Sequence, residues 1–314
     1  MVAAVKALSD EATLQWVFHA EASGTVREAL WYSGSLVEPP PTGQPKPSTQ
    51  SAMSQWLATT VGRVPDAILE LAEQVRERLD RQEASSTMEL PPEGAWRAPL
   101  SDQEVWGAGV TYRRSREARQ EEAQDGGDVY ARVYQAQRPE IFYKGNARTV
   151  VGHGGEVGIR ADSDWDVPEP ELAVLFNPAM EAVGFTIGLD MSSRSIEGEN
   201  PLYLPQAKVY DASCALGPGV LLQAATEWPD KRITMSIERA GQEVFRGETD
   251  TGQLARSLRE LAEYLRRSND FPSGVYLLTG TGIVPPAEFT LQEGDTIHTA
   301  ISGLGSLENT VIRV

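Results

Sequence analysis

Short apolar runs separated by glycine and proline make up most of the chain, and helical spacing is confined to a few segments. Leu14-Gln-Trp-Val-Phe and Ala29-Leu-Trp-Tyr read as strands broken by Gly24 and Gly34. Across 65–82, Ile68, Leu69, Ala72, Val75 and Leu79 form an apolar stripe at helical spacing, and Pro65 suits the first turn. Residues 113–124 are dense in charge and helix-forming, which fits a solvated face or a cover over a site. Beyond Arg138, strands are expected at 141–144, 172–176, 182–187, 219–223, 233–237, 275–279, 296–301 and 309–314. One helix interrupts them at 252–267, where Leu254, Leu258, Leu261 and Leu265 share a face. This pattern predicts an α+β chain that is mainly β. The proline-rich stretch 38–47 is a connector, and Pro91-Pro92-Glu93-Gly94 is a second break. The expected division is a small N-terminal α/β domain at 1–95 and a main domain at 96–314.

Composition narrows the partners more than the fold. With 314 residues and 40% hydrophobic content the chain can bury a sizeable core. The net charge of −17 argues against nucleic acid and anionic membrane as partners, because phosphates would be repelled. An acidic substrate would need a local metal or a Lys/Arg cluster to reverse the sign. The single cysteine, Cys214, lies in an apolar stretch and reads as a core residue. No signal peptide and no apolar run of about 18 residues is evident, so a cytoplasmic setting is expected.

Several familiar motifs fail. The glycine-rich run 151–158 does not match a dinucleotide fingerprint, and the 279–283 turn lacks a Gly-Lys-Ser/Thr. No Gly-x-Ser-x-Gly elbow exists, and His19, His153 and His298 have no metal-ligand spacing.

One set of residues does carry chemistry. Glu169 and Glu171 are two apart at the start of an apolar run, so strand alternation puts both carboxylates on one side. Asp190 follows a second strand-like run, and Lys208 lies further on. Oxygen-only ligands favour Mg²⁺, Mn²⁺ or Ca²⁺, and three carboxylates leave about three of six positions open. That suits chelation of a 2-oxo acid through its carboxylate and ketone, with Lys208 and Arg194 neutralising the substrate. An acidic strand surface would show the same Glu-x-Glu spacing.

The flanking residues add a resemblance. Glu169-Pro-Glu171-Leu, Gly188-Leu-Asp190-Met-Ser-Ser-Arg194, Lys208 and Thr279-Gly-Thr281-Gly together resemble the fumarylacetoacetate hydrolase family, in order, across roughly 100–314. The resemblance implies a mixed β-roll, a Mg²⁺ or Ca²⁺ held by Glu169, Glu171 and Asp190, substrate contacts from Lys208 and Thr281, and a homodimer or homotetramer. Trp165-Asp-Val-Pro-Glu-Pro-Glu-Leu and the stretch 196–210 are similar to the 2-keto-3-deoxy-D-arabinonate dehydratase branch. By that similarity Glu140 is an acid/base, with Lys208 as the other candidate base; without it, Glu140 would read as a surface glutamate. Lys208 acting as a base would first have to lose its proton, which burial near a cation favours. Hydrolases of the family commonly carry Asn-Tyr-x-x-His, whereas this chain has Thr111-Tyr112-Arg-Arg-Ser115. Serine in place of the water-activating histidine favours elimination over hydrolysis, with Tyr112, Ser115, Arg194 and Thr281 as substrate contacts. The expected activity is dehydration of a 2-keto-3-deoxy sugar acid, with 2-oxoglutarate semialdehyde as the product of the five-carbon substrate. The alternatives are an acylpyruvate-type C–C hydrolase or a 2-oxo acid decarboxylase on the same site, or a metal- or ligand-binding β protein without turnover.

Overall fold

The computed structural model describes residues 13–21, 23, 25–41, 50–81, 87–88, 96–112 and 128–314. The expected charged helix at 113–124, Ser115, and most of the proline-rich connector lie outside these residues. The chain opens with β1 (Gln15–Ala20), β2 (Val26–Tyr32) and β3 (Ser35–Val37), then α1 (Ala52–Thr59) and α2 (Val64–Asp80). β4 (Thr87–Met88), β5 (Trp96–Arg97), β6 (Glu104–Gly109) and α3 (Asp128–Gln135) follow. Next come β7 (Glu140–Gly145), β8 (Val150–Val151) and β9 (Glu156–Ile159). β10 (Asp166–Phe176) and β11 (Ala182–Ser193) form a long hairpin, followed by α4 (Arg194–Glu199) and α5 (Leu204–Lys208). The remainder is β12 (Cys214–Ala225), β13 (Arg232–Arg239), β14 (Gln242–Asp250), α6 (Leu258–Leu265), β15 (Val275–Leu278), β16 (Thr296–Ile301) and β17 (Gly305–Arg313).

These strands make two mixed sheets, as the mainly β expectation requires. The larger has the order β4-β3-β2-β1-β12-β11-β10-β15-β6-β7, with β5 against β1 and β8 against β12. The smaller runs β14-β13-β16-β17-β9. β1 pairs antiparallel with β12, so strands on either side of residue 95 share one sheet.

The β10–β11 hairpin is buried on both faces, which explains its near-continuous apolar sequence. Leu172, Val174 and Phe176 pack with Ile187, Leu189 and Met191 against Ile233, Met235 and Ile237 of the smaller sheet and Leu261 and Leu265 of α6. On the other face, Ala173 and Leu175 meet Tyr276, Leu278 and the apolar sides of α1 and α2. The strand begins at Asp166, six residues before the expected apolar run. Pro168 and Pro170 sit in the part of β10 that pairs with β11 alone, since β15 joins only from Ala173. Their missing donors therefore take nothing from a second ladder.

Two other departures have local causes. The expected helix at 252–267 is split into a short 3₁₀ turn, Thr251–Gln253, and α6. Ala255 N donates to Thr111 O (2.9 Å) and Leu254 bridges Tyr112, which draws this stretch out of the helix; Ser257 then caps α6 by accepting from Glu260 N (3.1 Å). β14 escapes the hydrophobic pattern because most of its side chains are exposed.

Asp166, at the head of β10, offers a test of this burial. Burial pushes its carboxyl from the ordinary 3.8 up to about 6, against the opposing Ser163 hydroxyl. The folded protein thus keeps this proton where the unfolded chain has lost it, so stability falls as pH rises between those values. Asp166→Asn is expected to be more stable than wild type near pH 8, by on the order of 2 kcal/mol, with the gain vanishing near pH 4. Urea midpoints at both pH values check this, and an equal gain at both would refute it.

Candidate active site

Alternation along β10 places Glu169 and Glu171 on one face, and the hairpin register sets Asp190 of β11 directly opposite Glu169. All three are buried, and a carboxylate oxygen from each lies within 4.8 Å of the others. Burial holds the Glu171 carboxyl well above its usual range, and the charges of Asp190 and Glu169 add to the shift. Its Oε2 accepts from the Gly280 N–H (2.5 Å), in the turn that follows β15. Gly280 has φ +90°, and a Cβ there would collide with Thr111 Oγ1, which donates to Thr279 O (2.6 Å).

Among the described residues, three buried cations surround these acids. Lys208, at the end of α5, donates to Glu169 Oε2 (2.8 Å), Asp190 Oδ2 (2.9 Å) and Ser192 Oγ (2.5 Å). Its three ammonium donors are all directed to acceptors. Arg194 Nη2 meets Glu169 Oε1 (2.7 Å), and Nη1 lies 3.5 Å from Glu197 Oε2. Lys144 of β7, which sequence reasoning left without a role, is fully buried. Its Nζ contacts Asp190 Oδ1 (2.5 Å) and donates to the carbonyls of Met191 (2.9 Å) and Lys208 (2.5 Å). The available signal was a lysine ending the apolar run Ile141-Phe-Tyr. Glu197 was missed as well; it falls three residues after Arg194, one helical turn away on the same face.

A narrow cleft above the acids is lined by Gly109, Glu140, Phe142, Glu169, Glu171, Asp190, Glu197, Lys208, Gly280 and Thr281. The structure thus brings Glu140, Lys208 and Thr281 together with the three acids. The Glu140 carboxylate lies over Gly109, where a Cβ would strike it. Arg194 is buried among carboxylates and is not part of the cleft lining. Tyr112 is also buried, with its ring against Gly282 and outside the lining; among the described residues its hydroxyl has no hydrogen-bond partner. Burial, with Glu171 and Asp250 nearby, pushes the phenol above its usual range.

Residues 104–312 match the model of the fumarylacetoacetate hydrolase C-terminal family, which is most of the chain. The chain belongs to the fumarylacetoacetate hydrolase family. Within this family it is 48% identical over 217 residues to a probable 2-keto-3-deoxyxylonate dehydratase of Haloferax volcanii, covering 69% of this chain and 74% of that one. It is 41% identical over 213 residues to the 2-dehydro-3-deoxy-D-arabinonate dehydratase of Saccharolobus solfataricus, covering 67% and 72%. A solved structure of 2-keto-3-deoxy-D-arabinonate dehydratase complexed with magnesium and 2,5-dioxopentanoate superimposes with a TM-score of 0.72 at 28% identity, over 95% of this chain and 99% of that one.

Lys144 does not itself line the cleft but contacts Asp190 and Lys208, which do, so its expected effect is on Asp190 and on stability. Burial lowers the proton affinity of Lys144, and Asp190 opposes that shift. Lys144→Met should leave Asp190 buried beside an apolar chain and destabilise the protein by about 3 kcal/mol. Chemical denaturation measures this, and a change under about 0.5 kcal/mol, the range of ordinary surface substitutions, would show that the ion pair is energetically idle.

Proposed function

We propose that the protein is a divalent-metal-dependent hydro-lyase that dehydrates a 2-keto-3-deoxy sugar acid. The substrate this reading names is 2-keto-3-deoxy-D-arabinonate, with 2,5-dioxopentanoate, which is 2-oxoglutarate semialdehyde, and water as products. The observation that carries it is the cleft in which three buried carboxylates, Lys208 and Glu140 converge, in a chain close in sequence to two dehydratases.

The residues fit a hard divalent cation, Mg²⁺ above all, with Mn²⁺ or Ca²⁺ also compatible. Glu169, Glu171 and Asp190 offer only oxygen donors. Glu171, pushed toward its neutral form by burial and its acidic neighbours, would ionise readily beside an added positive charge. When bound, the metal would polarise the 2-oxo acid head and acidify the adjacent C–H.

The remaining chemistry falls to side chains. Lys208, bound to three acceptors, supplies positive charge toward the substrate carboxylate or a developing enolate oxygen rather than a free lone pair. Glu140 is then the better candidate for proton transfer. As carboxylate it takes the C3 proton, and the C3–H electrons move into an enolate at C2. The protonated Glu140 next delivers that proton to the C4 hydroxyl, the C4–O bond breaks, and water leaves as a C3–C4 double bond forms. Loss of a proton from C5 and its return at C3 convert this allylic alcohol to the C4–C5 enol, whose C5 hydroxyl proton is lost as C4 gains one, giving 2,5-dioxopentanoate. Thr281 lines the cleft and positions the substrate. Arg194 acts through Glu169, and Tyr112 supports the turn around Gly282.

This reading also takes residues 1–95 as an N-terminal domain carried on the catalytic domain at 96–314, in a cytoplasmic homodimer or homotetramer. Among the described residues no helix is long and apolar enough to cross a membrane.

A substrate panel with Mg²⁺ and with chelator tests the activity: 2-keto-3-deoxypentonates and hexonates, acylpyruvates and oxaloacetate. Chelator-sensitive loss of water from the sugar acids is expected, and turnover of acylpyruvates alone would make the protein a hydrolase instead. Glu171→Gln should abolish Mg²⁺ binding in calorimetry; unchanged binding and turnover would sink the metal assignment. Glu140→Gln should keep Mg²⁺ binding and lower kcat by about 10²–10⁴-fold.

A further inference from the structure

We propose that Glu197 selects substrates with a hydroxylated, uncharged tail and rejects those with a carboxylate tail. This deepens the dehydratase reading and takes its substrate class from it. Glu197 stands on α4, is 3% exposed, and lines the same cleft as Glu140, Lys208 and Thr281. It is not one of the three clustered acids. Arg194 separates it from them, with one guanidinium nitrogen on Glu169 (2.7 Å) and another 3.5 Å from Glu197. The short helix is itself fixed, since Ser193 accepts from Ile196 N (3.3 Å).

On this reading the substrate lies with its head on the clustered acids and its tail toward Glu197, the lining carboxylate that Arg194 bridges to Glu169. The acids with Lys208 suit the carboxylate and ketone of the substrate head, as argued above. Elsewhere Ala108, Gly109, Val110 and Phe142 present apolar side chains or backbone. Among the described lining residues, the carboxylates outside the clustered three are Glu140 and Glu197. An ionised carboxylate accepts hydrogen bonds and cannot donate them. A tail bearing hydroxyls can donate to Glu197; a tail ending in carboxylate meets a like charge in a buried setting, which is repulsive. The same residue thus favours one five-carbon 2-oxo acid and disfavours another of equal length.

The test compares wild type with Glu197→Gln, which keeps the side-chain shape and removes the charge. With Mg²⁺ present, Kd is measured for pyruvate, which has a head and no polar tail, and for 2-oxoglutarate, whose C5 is a carboxylate. KM is measured for 2-keto-3-deoxy-D-arabinonate. Glu197→Gln is expected to leave pyruvate within about twofold, tighten 2-oxoglutarate about tenfold, and raise the KM of the sugar acid about tenfold. A parallel loss of pyruvate binding would show that Glu197 acts through Arg194 on the clustered acids, and would overturn the proposal. So would an unchanged ratio of 2-oxoglutarate to pyruvate affinity. If wild type dehydrates no sugar acid, the proposed activity fails by itself, while the two binding constants still decide whether Glu197 reads tail charge.

Discussion

Carboxylates buried together on one hairpin lose hydration and repel one another, so such a cluster persists only where cations are built in beside it. Here the β10–β11 register forces Glu169 and Asp190 face to face, with Glu171 one alternation away. Lys144, Lys208 and Arg194 answer from three separate elements: β7, the end of α5 and the start of α4. Each cation therefore ties a distinct part of the chain to the hairpin. The 194–208 segment is held at both ends, by Arg194 on Glu169 and Lys208 on Glu169 and Asp190. The electrostatics of the site and the placement of its surrounding elements are the same set of interactions.

Backbone space is the second constraint, and glycine meets it where the site is tightest. Glu140 lies over Gly109, and the Gly280 N–H reaches Glu171 from a left-handed turn packed on Thr111. Gly188, two residues before Asp190, faces Leu278, where a Cβ would clash with its Cδ2. Side chains at these positions would push β7, the 279–282 turn or β15 away from the hairpin. The acids could then keep their sequence spacing and still lose the geometry of the cleft.

The sequence showed much of this and concealed a definable part. Alternation revealed that Glu169 and Glu171 share a face, since period two is a local property. The position of Asp190 opposite Glu169 depends on hairpin register, which includes a bulge near Phe176 that no local pattern exposes. Lys144 and Glu197 were overlooked for a related reason. A lysine in a strand and a glutamate in a polar stretch read as solvent-facing, and only the packing of β7 and α4 against the hairpin buries them. Arg194 and Tyr112 were expected to touch substrate; both are buried and are not among the residues that line the cleft. Helix 65–82 was legible because its stripe is local, although Leu69 of that stripe is exposed and Val64, Ala67 and Leu71 join Val75 on the buried face; the split at 252–257 arises from pairing with residues 111–112, far away in sequence.

The division of labour between Lys208 and Glu140 follows from which of them is already committed. An ammonium held by two carboxylates and a hydroxyl can lose a proton only by weakening bonds that keep the acids in place. In the proposed dehydration its contribution would be fixed positive charge. Glu140 rests at the cleft on a different strand, over a glycine, and changing its protonation leaves those bonds untouched. Elimination needs a group that can take a proton at one carbon and return it to the leaving hydroxyl, and hydrolysis needs one that activates water. In the proposed dehydration the Glu140 carboxylate, at the cleft on β7, would take the first task, while Lys208 stays bound to its three acceptors.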